Sequence, residues 1–111
     1  MADNYFTVTN EDFEEKVLLA ANLVVVNFSA QQSNACKIQD PEFEAVSTEY
    51  QQRVTFVRFD VTGQEEITRQ WNVEGIPTLI FFKGGNEIYR ISGVVMRARL
   101  RRQIEGILLA D

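Results

Sequence analysis

Three short apolar runs constrain the fold of this chain more than any other feature of its sequence. The first, Leu23 to Phe28, is rich in β-branched valine and is interrupted only by Asn27. The others extend from Val54 to Phe59 and from Thr78 to Phe82. Such residues favour β-strands, and a strand that is apolar on both faces needs cover on both sides of its sheet. The runs therefore predict inner strands of a sheet packed between helices, with Leu23 to Phe28 at its centre.

Residues 33 to 50 show the apolar spacing of a helix, since Phe43, Val46 and Tyr50 follow one another at intervals of three and four. Ser33 is a suitable N-cap for this helix. Pro41 lies inside the pattern and predicts a kink, because proline has no N–H to donate and presses on the preceding turn.

The rest of the chain supplies shorter strands and three more helical segments. A strand is predicted from Tyr5 to Thr9, and a helical piece from about Glu65 to Trp71. The turn Lys83 to Asn86 joins the third apolar run to a strand from Glu87 to Ser92, which makes a hairpin. Apolar stripes predict the first and the last helix. The first contains Phe13 and Val17, and its N-cap is Thr9, Asn10 or Asp12. The stripe of the last helix consists of Met96, Leu100, Ile104 and Ile107.

The order of these elements predicts the fold class. Strands that alternate with helices in the first half imply parallel neighbours joined by right-handed crossovers, and the hairpin makes the last pair antiparallel. We therefore expect an α/β fold, a mixed five-stranded sheet flanked by about four helices. A chain of 111 residues is the size of one domain, so we expect residues 1–111 to form a single domain.

Composition narrows the possible functions. A net charge of −5 argues against nucleic-acid and anionic-membrane partners, and no apolar stretch approaches the ~20 residues of a membrane helix. The chain has no histidine and one cysteine, Cys36, so we expect no metal site and no cofactor. A lone cysteine cannot form a disulfide within its own molecule, and it fits a reducing, cytoplasmic location.

Two segments carry a resemblance to a known family. Residues 26–37, Val-Asn-Phe-Ser-Ala-Gln-Gln-Ser-Asn-Ala-Cys-Lys, followed by Pro41, resemble the active-site strand and helix of thioredoxins. Gly75-Ile76-Pro77-Thr78 is similar to the loop in which that family has a cis-proline. The hairpin turn Phe82 to Gly85 and Gly93 also match, and the resemblance extends from about Phe6 to Leu108. It implies a thioredoxin fold.

The chain departs from the thioredoxin pattern where the chemistry takes place. Thioredoxins attack a disulfide with the first cysteine of a Cys-x-x-Cys motif, and Ser33 stands at that position. A serine hydroxyl is not ionised near neutral pH and cannot replace a thiolate. Cys36 matches the resolving cysteine. Asn27 replaces a buried aspartate that helps to move the proton of that thiol, and Ser29 and Gln32 replace two tryptophans. The resemblance thus implies a degenerate Ser-x-x-Cys site.

The chain matches the thioredoxin pattern more closely at the loop that docks substrate than at the cysteine motif. In thioredoxins the loop before the cis-proline offers backbone groups to an extended target peptide. The resemblance therefore implies that Ile76 and Pro77 bind substrate, together with Asn34 and Ala35 of the motif. An alternative is that the cis bond only shapes the fold.

Three functions remain open at this point. The first is a divergent thioredoxin-like protein that binds client or partner proteins, in redox homeostasis or chaperone-type work, without ordinary dithiol turnover. The second is a monothiol thiol-disulfide oxidoreductase, in which Cys36 forms mixed disulfides; this is the most the chain could do as an enzyme. The third is a protein-disulfide reductase whose nucleophilic cysteine has been replaced by Ser33. Protein clients or thiol partners are expected in each case.

Overall fold

Five strands form one sheet at the positions that the sequence predicts. The computed structural model describes residues 3–110, so predictions that concern Met1, Ala2 and Asp111 lie outside the described residues. The strands are β1 (Tyr5–Val8), β2 (Leu23–Ser29), β3 (Val54–Asp60), β4 (Thr78–Lys83) and β5 (Asn86–Ser92). Their order in the sheet is β1-β3-β2-β4-β5, which places β2 at the centre.

The sheet is mixed, as predicted. Strand β3 pairs in parallel with both β1 and β2, whereas β4 is antiparallel to β2 and to β5. In this register Asn27 lies opposite Arg58 on β3, and Phe28 lies opposite Thr78 on β4. The C-terminal end of β2 and the N-terminal end of β4 therefore meet at the same end of the sheet, and both lead into the candidate site.

Helices flank the sheet and confirm the predicted fold class. They are α1 (Asn34–Ser47), α2 (Glu65–Gln70) and α3 (Arg97–Ala110), with a π-helical turn at Glu14–Leu18 and a 3-10 turn at Thr48–Tyr50. Pro41 lies inside α1 without ending it. None of the helices within residues 3–110 is long and apolar enough to cross a membrane.

The sheet separates two apolar cores. Successive side chains of β2 point to opposite faces of the sheet, so this strand contributes residues to both cores. Leu23 and Val25 belong to the core beneath α1 and α3, which also contains Phe43. Val24, Val26 and Phe28 belong to the opposite core, beneath the π-helical turn and α2. All seven residues of β2 are buried, which confirms that this strand has cover on both faces.

The N-caps predicted for the first helix are wrong. The π-helical turn follows Phe13 and has no side-chain cap. The carboxylate of Asp12 instead accepts a hydrogen bond from the N–H of Thr9 at 2.7 Å, and Oδ1 of Asn10 accepts one from the N–H of Ile67 at 3.3 Å. Asn10 thus ties the segment after β1 to α2, a long-range contact that local sequence patterns do not encode.

The stripe predicted for the last helix is only partly right. Leu100 and Ile104 are buried, and Ile107 packs against the core. Met96 precedes the first residue of α3 and is 52% exposed, so its assignment to the stripe is wrong.

Candidate functional site

Ser33 caps helix α1, in the role that the sequence predicts for it. Its backbone is extended, with φ −84° and ψ 124°, and its Oγ accepts a hydrogen bond from the N–H of Cys36 at 3.2 Å. The bond satisfies one of the N–H groups that a helix leaves free in its first turn. Because the chain has no histidine, the hydroxyl also lacks the base that would activate it as a nucleophile.

Cys36 lies in the first turn of α1 and is fully buried, with 0% of its surface exposed and no disulfide. A thiol must reach the disulfide sulfur that it attacks. In this conformation Cys36 cannot touch a partner, so a reaction at its sulfur requires the first turn of α1 to open.

A polar cluster that the sequence interpretation missed lies between α1 and the sheet. Asp40 is its centre. Its Oδ1 accepts hydrogen bonds from Nδ2 of Asn27 at 2.8 Å and from Oγ of Ser29 at 2.9 Å, and its Oδ2 accepts one from Nε of Arg58 at 3.2 Å. We call Asn27, Ser29, Asp40 and Arg58 the Asp40 cluster. The carboxylate of Asp40 thus lies next to Asn27, the residue that replaces the buried aspartate of the thioredoxin pattern.

The Asp40 cluster is held by burial and by opposite charge. Asn27 and Ser29 are fully buried, whereas the side chains of Asp40 and Arg58 are 28% and 17% exposed. Arg58 also approaches Asp60, with Nη1 3.8 Å from Oδ2. Oδ1 of Asn27 is buried without a hydrogen-bond partner. The side chain of Asn27 thus connects β2 to the carboxylate of Asp40 through its Nδ2 only.

One signal in the sequence points to the Asp40 cluster. Asp40 follows Cys36 by four residues and precedes Phe43 by three, so it lies on the same helix face as two buried side chains. Arg58 interrupts the second apolar run. Two opposite charges at positions that face inward are seldom buried unless they pair.

The loop before β4 keeps the backbone features that the resemblance implies. The Ile76–Pro77 peptide bond is cis. Pro77 is buried and Ile76 is half-buried. The carbonyl of Pro77 accepts a hydrogen bond from the N–H of Gly93 at 2.8 Å, and Oγ1 of Thr78 donates to the carbonyl of Gly75 at 2.6 Å. These bonds hold the loop against the segment that precedes α3.

Gln39 ties helix α1 to that same segment. Its side chain is fully buried; Nε2 donates to the carbonyl of Val95 at 3.1 Å, and Oε1 accepts from the N–H of Val95 at 2.7 Å. Since Gly93 is bonded to Pro77, the segment 93–95 connects the N-terminal half of α1 to the loop before β4. Of the other residues expected to bind substrate, Asn34 is exposed and Ala35 is half-buried.

Two arginines near the start of α3, Arg97 and Arg101, form ion pairs with glutamates. Arg97 forms two side-chain hydrogen bonds to Glu42 of α1, at 3.1 and 2.8 Å, and Arg101 forms two to Glu49, at 2.7 and 2.9 Å. The hydrogen bonds from Arg97 hold the pKa of Glu42 at about 2. The first pair joins α3 to α1, and the second joins α3 to the 3-10 turn that follows α1.

Within residues 3–110, no group of three or more acidic or cysteine side chains is placed so that it could hold a metal ion.

Comparison with known proteins settles the family. The thioredoxin family model matches residues 4–106, which is nearly the whole chain. The chain belongs to the thioredoxin family. Its single cysteine is consistent with a degenerate dithiol site in that family.

Individual thioredoxins are moderately similar to the chain. Chloroplastic thioredoxin X of Arabidopsis thaliana is 33% identical over 91% of this chain and 57% of its own length. A thioredoxin of Mycobacterium tuberculosis is 35% identical over 91% of this chain and 87% of its own. A thioredoxin of Acidithiobacillus ferridurans is 31% identical over 97% of this chain and 100% of its own. The chain thus spans little more than half of the plant relative and most or all of the two bacterial ones.

Proposed function

We propose that this thioredoxin-family protein binds client or partner proteins and does not turn over disulfides as an ordinary dithiol enzyme. The observation that carries the proposal is the state of the two motif positions. Ser33 is occupied as a helix cap, and the only thiol, Cys36, is fully buried. Neither group is available as a nucleophile in this conformation. The protein would act in redox homeostasis or in chaperone-type binding, in the cytoplasm.

The proposed docking surface is the loop before β4 together with the start of α1. Asn34 is exposed there, and Ile76 is half-buried and offers part of its side chain. The surface depends on backbone groups held by the bonds from Gly93 and Thr78, not on a reactive side chain. It can therefore bind an extended segment of a partner without Cys36.

Client capture tests this surface. The bait proteins are the parent chain, Cys36→Ala, Ile76→Glu and, as a matched control, Ile88→Glu, which places the same charge on an exposed apolar position of β5. We expect Ile76→Glu to lose the clients, and Cys36→Ala and Ile88→Glu to keep them. Clients that are lost with Cys36→Ala, and released from the parent by dithiothreitol, would instead establish the monothiol oxidoreductase.

Insulin reduction tests the absence of turnover. With dithiothreitol or a thioredoxin reductase as electron source, we expect no insulin precipitation above the rate of the reductant alone, because one thiol cannot complete the two-electron exchange within the molecule. Turnover near that of a dithiol thioredoxin would overturn the proposal. The third interpretation, a reductase that has lost its cysteine, is tested by the native gene sequence at position 33.

A further inference from the structure

The first part of α1 is connected to the rest of that helix less firmly than in an uninterrupted helix. Pro41 lies inside α1. Proline has no N–H, so the bond that residue 41 would donate to the carbonyl of Lys37 cannot form, and the proline ring presses on the preceding turn. Helices bend most readily at such a position. We call residues 34–40, which precede it, the hinged segment.

The side chain of Asp40 fastens the hinged segment to the sheet. Its carboxylate accepts hydrogen bonds from Nδ2 of Asn27 and Oγ of Ser29, both on β2, at 2.8 and 2.9 Å. It accepts a third from Nε of Arg58 on β3, at 3.2 Å. The end of the segment next to Pro41 is thus bonded to two neighbouring inner strands.

The side chain of Gln39 fastens the hinged segment to the chain before α3. It is fully buried, and its amide bonds to both the carbonyl and the N–H of Val95, at 3.1 and 2.7 Å. Opening of the segment would have to break these bonds together with those of Asp40. We call the side-chain bonds of Gln39 and Asp40 the latch.

The hinged segment buries Cys36. Cys36 precedes Asp40 by four residues, so the two side chains lie on the same face of α1, the face toward the sheet. The thiol is 0% exposed, whereas Ile38 on another face of the segment is 53% exposed. Phe43 and Val46, which anchor the rest of α1 in the apolar core, both follow Pro41. The segment can therefore lift and uncover the sulfur while the second part of the helix stays packed.

We propose that the hinged segment opens about Pro41 as a unit, and that the latch sets how much of the protein has Cys36 uncovered. The thiol is then reached by a local opening, which costs less free energy than unfolding of the whole domain. A partner that binds the open form more tightly shifts the equilibrium toward it and makes the thiol accessible. This device does not depend on the proposed docking of clients, and its test uses no client.

The urea dependence of thiol labelling separates local opening from global unfolding. Iodoacetamide modifies one site, because Cys36 is the only cysteine. We expect the native labelling rate to change less than about twofold at low urea concentrations, since a local opening exposes little surface and the effect of urea scales with exposed surface. A rate that rises from the lowest urea concentration with the slope of global unfolding would refute the hinged segment. Labelling as fast as that of free cysteine would refute the latch.

Variants on the two sides of Pro41 test the latch. Asp40→Ala should raise the labelling rate without urea about tenfold or more, because it removes hydrogen bonds to a charged group. Asp40→Asn should give a smaller increase and replaces Asp40→Ala if that variant does not fold. The matched control is Val46→Ala, which removes buried side-chain volume from α1 beyond the hinge and lowers global stability. It should change the rate by less than about twofold. Equal increases in Asp40→Ala and Val46→Ala would refute the latch, as would no increase in either Asp40 variant.

Two further variants test the hinge and the second anchor. Pro41→Ala allows the missing backbone bond and should slow labelling about threefold or more. Gln39→Met keeps the length of the side chain without its bonds to Val95 and should speed labelling. Hydrogen exchange provides a readout that needs no thiol: in Asp40→Asn, amides of residues 34–40 should exchange faster than in the parent, and those of residues 43–47 should not. Equal acceleration in both parts of α1, or a Pro41→Ala rate equal to that of the parent, would refute a hinge at Pro41.

Discussion

The start of α1 and the loop before β4 meet at one end of the sheet, but they are maintained in different ways. At the start of α1 the structure depends on particular side chains: the hydroxyl of Ser33 as cap, and Asp40 as the acceptor for Asn27 and Arg58. In the loop it depends mostly on the backbone, through the bond from Gly93 to the carbonyl of Pro77.

The proposed function requires that one region lacks dithiol chemistry while the other still binds a partner, and this difference is compatible with both. Thiol exchange needs a sulfur and a proton acceptor at fixed positions, so a single substitution such as serine at position 33 ends it. Strand-like docking uses backbone N–H and C=O groups, which substitutions other than proline leave in place. The two capacities of a thioredoxin fold can therefore be separated in evolution, and the following predictions test that separation, from the largest expected effect to the smallest.

Burial of Cys36 should protect its thiol strongly. We expect iodoacetamide to label Cys36 at least about 100-fold more slowly in the native protein than in denaturant, which corresponds to an opening free energy of about 3 kcal/mol. The measurement is mass spectrometry of quenched time points, with free cysteine as the reference. If the native protein were labelled at the rate of free cysteine, Cys36 would be accessible, and the result would favour the monothiol oxidoreductase.

Ser33→Cys should restore a dithiol but not full activity. A Cys-x-x-Cys pair at a helix N-terminus has the reach that disulfide geometry requires, so a bond to Cys36 should form. Insulin reduction should then appear, about 100-fold below that of an ordinary dithiol thioredoxin, because Asn27 cannot accept the proton of the resolving thiol. Asp40 is already engaged by three donors. Turnover equal to that of an ordinary thioredoxin would show that the amide at position 27 is immaterial.

Asp40→Ala should destabilise the protein, because the Asp40 cluster loses its central acceptor. Removal of the carboxylate leaves Arg58 without its closest partner and Asn27 with both polar ends unpaired, which should lower the free energy of unfolding by about 2 kcal/mol. Asp40→Asn keeps the size and some of the bonds, so its effect should be about half as large. Urea unfolding measures both. Two variants within 0.5 kcal/mol of the parent, a change of about twofold in the folding equilibrium, would refute the structural role of the Asp40 cluster.

The pair between Glu42 and Arg97 should give a small, pH-dependent contribution to stability. Hydrogen bonds from Arg97 lower the pKa of Glu42 from 4.5 to about 2 in the folded protein. Because the folded pKa is the lower one, the stabilisation is present above pH 4.5 and is lost as the pH falls toward 2. Glu42→Gln should therefore be less stable than the parent at pH 7, and this difference should shrink as the pH falls to 2, as measured by thermal unfolding. A difference that is the same at both pH values would exclude this ion pair as its source.

Much of the fold followed from the sequence because its signals are local. The spacing of apolar residues and the turn residues predicted the strands, α1, α2 and the hairpin, and serine at position 33 predicted its own cap. The predictions that were wrong also relied on local patterns. Met96 fits the stripe of α3 by spacing, but the helix begins one residue later. The side chains of Thr9, Asn10 and Asp12 do not cap the helix that they precede.

The sequence by itself determined the central strand, the mixed sheet, the absence of a second thiol and the departure of Ser33 from the family pattern. Only the tertiary structure decided how the polar residues pair. Asp40 meets a strand residue 13 positions before it and an arginine 18 positions after it, and Gln39 meets a backbone group 56 positions away. Periodicity reports which face of an element points inward, because that depends on near neighbours. It does not report what lies opposite, because that depends on how the whole chain packs.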